Sequence, residues 1–511
     1  MWKPCRNPAT GARPTPREWP PPCPAPFNLA GFVLRHASAQ PDKIALALLG
    51  PSRAERWSYA RLEGAVRGIA TGLLQRGLTP GDRVLMRLGN TPDFPLAFLG
   101  CIAAGLIPVP TSAQLSDPET ARIIDILSPA LILRDPAVAC AETDVPLLPA
   151  AALHEMAALP PADFALGAPD RPAYIVFTSG TSGVPRAVVH AHRAVWARQM
   201  MVAGWYDLRA SDRLCHAGAF NWTFTLGTGL LDPWAAGATA LIPAPGTDPA
   251  MLPLLLKRHD ATLFAAAPGI FRKLLSRPLP PLPRLRHALS AGEKLPETLR
   301  GTWRAETGTE IYEAYGMSEC STFISSSPAT PARRGLLGRP QPGRRIALRD
   351  GDGPVPLGEP GEICIADSDP GLMLEYLGAP EATAARRHGG WFHTGDLGRM
   401  ETDGQIAYLG RADDMMNAGG FRVSPQEVEQ ALHDVPGLTG LAVTDVEIKA
   451  DTRVIAAFYT AETDLTEALT RRAEAQLARY KQPRLFRRLD RLPTGPNGKL
   501  SRRALRRGFT T

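Results

Sequence analysis

None of the seven cysteines in this 511-residue chain (positions 5, 23, 101, 140, 215, 320 and 364) forms a C-x-x-C pair. That excludes ribbon-type zinc sites and thioredoxin-like redox centres, and no His/Cys cluster stands at metal-ligand spacing. An odd number of scattered cysteines without a signal-peptide pattern fits reduced thiols in the cytoplasm. The first 26 residues lack the apolar stretch of a secretion signal, and Pro20, Pro21 and Pro22 stand together in them. They read as a disordered, proline-rich extension. No apolar run qualifies as a membrane span. Residues 94–110 come nearest, but Pro95, Pro108 and Pro110 make them a buried helix followed by a strand. In the basic stretches 484–491 and 502–507 Phe486 is the one aromatic residue, too few for the stacking platform of a nucleic-acid binder. No internal repeat is present.

What remains is ordinary globular composition, 44% hydrophobic and 21% charged, in a chain long enough for two or more domains. The formal net charge of +7 is mild for this size. Arginine clusters only at 484–491 and 502–507. That tail reads as a solvated face that also meets the phosphates of a nucleotide or of coenzyme A, in preference to a nucleic-acid surface.

Residues 174–189, YIVFTSGTSGVPRAVV, are the most informative stretch. Tyr174, Ile175, Val176 and Phe177 are β-branched or aromatic, as a strand requires. Thr178, Ser179, Gly180, Thr181, Ser182 and Gly183 then crowd small residues together, so that backbone N–H groups can converge on an anion. Arg186 adds a cation beside them. This is a phosphate cradle that does not fit the pattern G-x-x-x-x-G-K-[ST]; taken alone it is equally a plain Ser/Gly loop. Four more motifs follow in order: Ser290-Ala291-Gly292-Glu293, Glu313-Ala314-Tyr315-Gly316-Met317-Ser318-Glu319, Thr394-Gly395-Asp396 and Gly410-Arg411-Ala412-Asp413-Asp414. Pro496-Asn497-Gly498-Lys499 closes the set.

Between residues 43 and 133 strand and helix signals alternate. Strands are predicted at 44–49, 84–88, 107–110 and 131–133, and helices at 96–106 and 118–127. Another helix opens at Ser58, carries apolar Leu62, Val66, Ile69 and Leu73, and stops at Gly77. Alternation of this kind gives mostly parallel, helix-covered sheets, with the cradle at a strand's carboxyl end, where open α/β folds bind ligands. Beyond Gly410 the character changes. Ser424-Pro425-Gln426-Glu427 opens a helix through His433, strands follow at 441–443 and 454–459, and a helix at 465–477. The expected fold is therefore α/β: a large N-terminal domain of helix-covered, mostly parallel sheets plus a small mobile α+β C-terminal domain. The boundaries read as an extension over 1–26, a large domain over 27–410, a hinge at 411–413 and a small domain over 414–511.

In this order the motifs resemble the adenylate-forming superfamily of acyl-CoA synthetases, peptide-synthetase adenylation domains and luciferases, from about residue 27 to residue 505. The resemblance implies activation of a carboxylic acid by ATP, with Mg2+ and CoA as the further small molecules and no nucleic-acid partner. Thr178–Arg186 would hold the leaving phosphates; Arg186 and Ala187 stand where relatives usually carry Lys and Gly. Glu319 would hold Mg2+, Ser318 would donate to the α-phosphate and Tyr315 would stack on adenine. Gly292, Glu293, Glu313 and Ala314 would edge the adenine pocket, with Gly316 and Met317 in the same string. Asp396 would accept the ribose hydroxyls beside Arg411. Lys499 would reach the substrate carboxylate and α-phosphate. For the thiol step the small domain would turn about Asp413, bringing Asn417-Ala418-Gly419-Gly420-Phe421-Arg422 against the pantetheine arm, with Lys481 as a contact for CoA phosphate.

The acid is less well specified. Phe220, Trp222 and Thr223, before the small-residue stretch 226–229 and Asp232-Pro233-Trp234, resemble the acyl channel of medium-chain and benzoate-type acyl-CoA ligases; Phe220 and Trp222 also read as ordinary core. His190, His192 and His216 read as structural. The resulting expectation is an AMP-forming acyl-CoA synthetase for a medium-chain or aromatic acid. The alternatives are a stand-alone enzyme loading a carrier protein and a non-catalytic acyl-nucleotide binder.

Overall fold

The computed structural model describes residues 20–178, 185–351, 353–412, 414, 416–418, 421–449, 452–477, 479–494 and 500–509. The chain forms two compact units, Met1–Arg345 with Ala366–Gly390 and Ile346–Ile365 with Trp391–Thr511.

In the first unit the sequence patterns translate directly into elements. Ser58 caps the helix Tyr59–Gln75 by accepting from Arg61 N–H, the predicted apolar stripe is buried, and Gly77 leaves the helix at φ 85°. The proline-bearing run is the fully buried helix Asp93–Ala103 followed by the strand Ile107–Pro110. A nine-stranded sheet carries the motifs. Its strands Ile44–Leu49, Thr239–Pro243, Arg213–His216, Leu263–Ala266, His287–Ala291 and Ile311–Met317 are parallel neighbours, and antiparallel strands close both edges. A four-stranded parallel sheet is built from Ile107–Pro110, Arg83–Arg87, Leu131–Arg134 and Leu147–Pro149. Behind the motif-bearing strands Phe264, Phe271 and Trp303 pack with ring centroids 5.0–6.1 Å apart, a dense apolar buttress.

The cradle's context differs from the expectation. Pro172–Thr178 and Arg186–Ala191 are antiparallel, with Thr178 opposite Arg186, and Glu375–Tyr376 extends them to three strands. The segment thus follows the carboxyl end of a strand, as expected, but joins two antiparallel strands and not the parallel strands of an open α/β sheet. Two β-rich runs flanking a short Gly/Ser segment are themselves a hairpin signal, and here it prevailed over the alternation around it. Ser179, Gly180, Thr181, Ser182 and Gly183 lie outside the described residues.

In the second unit Ser424 caps the helix Pro425–Leu432 by accepting from Glu427 N–H. The strands Leu438–Lys449 and Thr452–Ala461 form a long antiparallel ribbon, joined in parallel by Leu485–Arg488. Both long strands outrun the predicted ones because polar residues such as Thr439 and Asp445 interrupt their apolar runs without breaking the ladder. The helix Arg502–Gly508 turns the basic tail inward. Arg502 pairs with Glu429 at 2.6 Å and Arg506 with Asp445 at 3.0 Å, so part of that charge is neutralised within the unit. The strand pairs Ile346–Asp350 with Pro360–Ala366, and Trp391–Met400 with Ile406–Arg411, are antiparallel. Among the described residues six cysteines are free thiols, and no helix is long and apolar enough to cross a membrane.

Burial sets the acid response of the first unit. It depresses His190 and His287 to about 4 and His192 and His216 to about 3. In the unfolded chain these imidazoles titrate near 6.5, so between about 6.5 and 4 the unfolded state binds more protons and stability falls as pH falls. Glu313, pushed up to about 7 by burial, acts with the opposite sign but is one group against four. Denaturant midpoints should therefore drop steadily from pH 7 to pH 5, each histidine contributing up to about 1.4 kcal/mol per pH unit. A flat profile over that range would mean that these rings are hydrated.

Candidate active site

The string Tyr315-Gly316-Met317-Ser318-Glu319 ends one strand and turns into the next, Ser321–Ser325, with Gly316 opposite Thr322. A Cβ on Gly316 would lie 2.1 Å from the Ser321 carbonyl oxygen, so only glycine permits the close approach. Ser321 takes φ 62°, a strained backbone for a side-chain-bearing residue that neighbouring contacts must hold. His190 Nε2 donates to the Ser318 carbonyl at 2.8 Å, Met373 N–H donates to the Glu319 carbonyl at 2.7 Å, and Arg198 Nη1 donates to Ser321 Oγ at 2.5 Å. The turn is thereby fixed from three directions.

Arg198 is itself buried and paired. Its Nε and Nη2 donate to the two oxygens of Asp232 at 2.7 Å each, and Tyr206 Oη donates to Asp232 Oδ2 at 2.7 Å. Burial alone would lower the guanidinium's pKa; Asp232 more than reverses that and leaves it raised. Arg198 also lines a small cavity with Tyr174, His190, Thr223, Leu226 and Leu231, and Ser318 and Ser321 form another wall of it. Sequence reasoning passed over Arg198, although a lone arginine among Ala194, Val195, Ala197, Met200 and Met201 demands a buried counter-ion. Asp232, between Leu231 and Pro233, was the matching signal.

Glu319 is only 7% exposed, and Tyr376 Oη donates to its Oε1 at 2.8 Å. Burial, then the Glu319 charge, push the Tyr376 hydroxyl up, so it stays a proton donor. The Arg186 guanidinium lies 5.1 Å from the Tyr376 ring centroid, a cation–π contact. Arg186 and Glu319 are thus brought together through Tyr376, a residue that the motif scan missed because it sits in a two-residue strand. The Glu319 carboxylate offers the kind of oxygen ligand that a hard cation takes.

Around the turn the residues expected to edge adenine separate into two environments. Gly292 (φ 96°) and Glu293 are exposed, and a Cβ on Gly292 would lie 2.6 Å from the Trp222 ring. Tyr315 is half-buried and meets Phe323 edge-on at 5.1 Å. Ala314 and Glu313 are buried; the Glu313 carboxylate accepts from Leu295 N–H at 2.8 Å and reaches Arg300 at 3.3 Å, which makes it a brace for the segment that follows Glu293. Met317 is half-buried at the strand's end. Of the acyl-channel candidates Thr223 lines the cavity, Trp222 packs on Gly292 and edge-on to Phe224, and Phe220 is buried against Phe94 at 5.4 Å.

In the second unit Asp396 is buried, accepts from Tyr408 Oη at 3.0 Å, and has Arg411 at 3.8 Å. Its turn is braced by Glu362, which accepts from Gly395 N–H at 2.6 Å and pairs with His393 at 2.9 Å. Cys364 stands beside these two, so Glu362, Cys364 and His393 bring three ligand-type atoms within 4.8 Å. Burial pushes the Cys364 thiol up to about 12, so it is a packed, protonated group there. Lys481 pairs with Glu427. Phe421 and Arg422 belong to a two-strand ribbon, Met416–Ala418 with Phe421–Val423. Asp413, Gly419, Gly420 and Lys499 lie outside the described residues.

The family described as AMP-binding enzyme matches residues 33–377, and the AMP-binding enzyme C-terminal domain matches 427–499. The benzoate–CoA ligase of Thauera aromatica is 32% identical over 88% of this chain and 90% of its own length. The human mitochondrial acyl-coenzyme A synthetase ACSM2A is 29% identical over 94% and 91%. Among solved structures, the benzoate CoA ligase of Burkholderia xenovorans LB400 superposes with a TM-score of 0.82 at 27% identity, over 94% of this chain and all (100%) of that one.

Asp232→Ala would leave the Arg198 guanidinium buried without its counter-ion and should destabilise the first unit by about 3–5 kcal/mol in chemical denaturation. The double replacement Arg198→Met with Asp232→Leu removes both charges and should recover most of that loss. A single-variant cost below about 1 kcal/mol would show that the pair is solvated.

Proposed function

The chain belongs to the family of AMP-binding enzymes, and on that premise we propose that it is an AMP-forming acyl-CoA synthetase for a medium-chain or aromatic carboxylic acid. One observation carries the reading: Ser318 belongs to the anchored turn beside Glu319 and at the same time lines the cavity with Arg198, Thr223 and Leu226. That shared wall supports a reading in which Ser318 faces the phosphate and the acid approaches from the side of Thr223 and Leu226.

In the first step the acid's carboxylate oxygen attacks the α-phosphorus of ATP, the bond to pyrophosphate breaks, and an acyl-adenylate forms. Charge grows on the phosphate oxygens, which fixed donors stabilise without reorganising. Ser318 donates to the α-phosphate, and Arg186, with Thr178 and the Ser179–Gly183 segment, takes the leaving phosphates. Glu319, oriented by the Tyr376 hydroxyl, would hold Mg2+, which when bound neutralises phosphate charge. Tyr315 stacks on adenine, with Gly292 and Glu293 at the pocket's edge. Asp396 accepts from the ribose, its carboxylate kept in place by Tyr408, and Lys499 stabilises the transition state.

In the second step the thiol of CoA attacks the acyl carbonyl and AMP leaves. Gly419, Gly420, Phe421 and Arg422 would line the pantetheine path, with Lys481 released from Glu427 toward CoA phosphate. We assign a large domain over 27–410, a hinge at 411–413 centred on Asp413, and a small domain over 414–511. The free thiols fit a reducing compartment, and on that ground we assign the protein to the cytoplasm.

An ATP–pyrophosphate exchange screen over short, medium-chain and ring acids tests the reading; exchange should depend on the acid and require Mg2+. Lys499→Ala should cut exchange at least about 100-fold, the size of loss seen when one transition-state donor is removed. Thioester formation from a supplied acyl-adenylate should persist in that variant. Equal loss of both half-reactions would refute the separate role of Lys499.

A further inference from the structure

Three ligand-type side chains converge in the second unit outside the residues read as activating the acid. Glu362 and Cys364 are two apart on the strand Pro360–Ala366, so both project from one face of it. His393 stands on the neighbouring strand Trp391–Met400. Its Nδ1 lies 2.9 Å from Glu362 Oε2 and 3.4 Å from Cys364 Sγ, and the three ligand atoms all fall within 4.8 Å of one another. Among the described residues no other group of three histidine, cysteine, aspartate or glutamate side chains converges in this way. Cys364 and His393 are 29 residues apart, which hid the set from a reading by local spacing.

Bracing the Gly395 turn takes only the Glu362 carboxylate and the His393 ring. The Cys364 sulfur is a third donor that this brace does not require. Around a tetrahedral zinc ion, with Zn–S about 2.3 Å and Zn–N and Zn–O about 2.0–2.2 Å, ligand atoms stand about 3.4–3.6 Å apart. The Nδ1–Sγ separation already has that size, and the Nδ1–Oε2 separation falls short of it by roughly 0.5 Å. Charge balances as well. One carboxylate and one thiolate neutralise a divalent ion, and the imidazole adds a neutral donor. This mixed sulfur, nitrogen and oxygen set suits zinc, whereas magnesium takes oxygen ligands. The Glu362 side chain is 26% exposed and gives the ion a way in, while Cys364 is buried and the His393 side chain is 7% exposed.

We propose that Glu362, Cys364 and His393 form a site for a divalent ion of the zinc class, with water as the fourth ligand. Binding exchanges protons for the ion: the Cys364 thiol releases its proton to solvent, and the proton on His393 Nδ1 passes to Nε2 as the ion takes the Nδ1 lone pair. Glu362 Oε2 becomes the third ligand, while its Oε1 accepts from Gly395 N–H at 2.6 Å. The ion thus ties two strands together beside the turn that leads to Asp396. This inference stands whether or not the acid-activating reading holds.

The test titrates Co2+ into the full chain, reduced and stripped of metal with a chelator, in excess Mg2+, and then displaces it with Zn2+. One Co2+ per chain should bind with a thiolate-to-cobalt charge-transfer band in the near ultraviolet and the strong visible absorption of four-coordinate cobalt. Zn2+ should abolish both signals and excess Mg2+ neither. Cys364→Ser should remove the charge-transfer band and weaken Zn2+ at least about 100-fold in competition with a chelator, because even the outer partners of a metal ligand are worth about 10–100-fold. Cys23→Ser, at the one described thiol that is not buried, should leave the band intact. A wild-type protein without the charge-transfer band overturns the proposal with no variant needed. So does a band, or a Zn2+ affinity, that Cys364→Ser leaves unchanged.

Discussion

Taking a guanidinium and a carboxylate out of water costs several kcal/mol per ion, and Arg198 and Asp232 offset that cost only through their two-point contact and the added Tyr206 hydroxyl. The geometry has little freedom, and it is inherited by what Arg198 touches. Ser321, held at φ 62° with its hydroxyl on Arg198, closes the turn that presents Ser318 and Glu319. His190, on the strand Arg186–Ala191 of the three-stranded sheet, bonds the Ser318 carbonyl and completes the frame. The Ser318–Glu319 turn and one wall of the cavity are therefore parts of one frame, and a shift of the buried pair displaces both.

A second chain of contacts runs from the same turn to the cradle. Glu319 holds Tyr376, and Tyr376 lies under Arg186. Arginine, unlike lysine, carries a planar, delocalised cation that can rest on an aromatic face. That gives a physical reason for arginine at 186: the tyrosine beneath it restricts where the charge can go. In the second unit the same principle recurs with other groups, Glu362 fixing the Gly395 turn and Tyr408 fixing the Asp396 carboxylate.

Much of this was legible in the chain. The helix Tyr59–Gln75 could be drawn from its cap, its apolar stripe and Gly77, and the alternation from residue 43 onward gave the parallel sheets, because local periodicity and burial agree there. The hairpin around the cradle was misread because β-rich runs carry no mark of parallel or antiparallel pairing. The ribbon Leu438–Lys449 with Thr452–Ala461 was underestimated because its polar residues hide its length. Around the Ser318–Glu319 turn, the sequence reading singled out contiguous motifs and passed over the residues that meet them from a distance. Tyr376 lies 57 residues from Glu319, and Arg198 lies 34 from Asp232. Pairings of that separation leave only a weak trace in sequence: an isolated charge in an apolar run, whose partner cannot be named until the chain is folded.

The chemistry asserted for this frame is attack by a carboxylate oxygen on the α-phosphorus of ATP, and isotope transfer tests it most directly. With an acid labelled with oxygen-18 in both carboxylate positions, with ATP, Mg2+ and CoA, the AMP formed should carry one labelled oxygen on its phosphate, and the thioester should retain the other. Label found in inorganic phosphate beside ADP, or AMP free of label, would contradict the account.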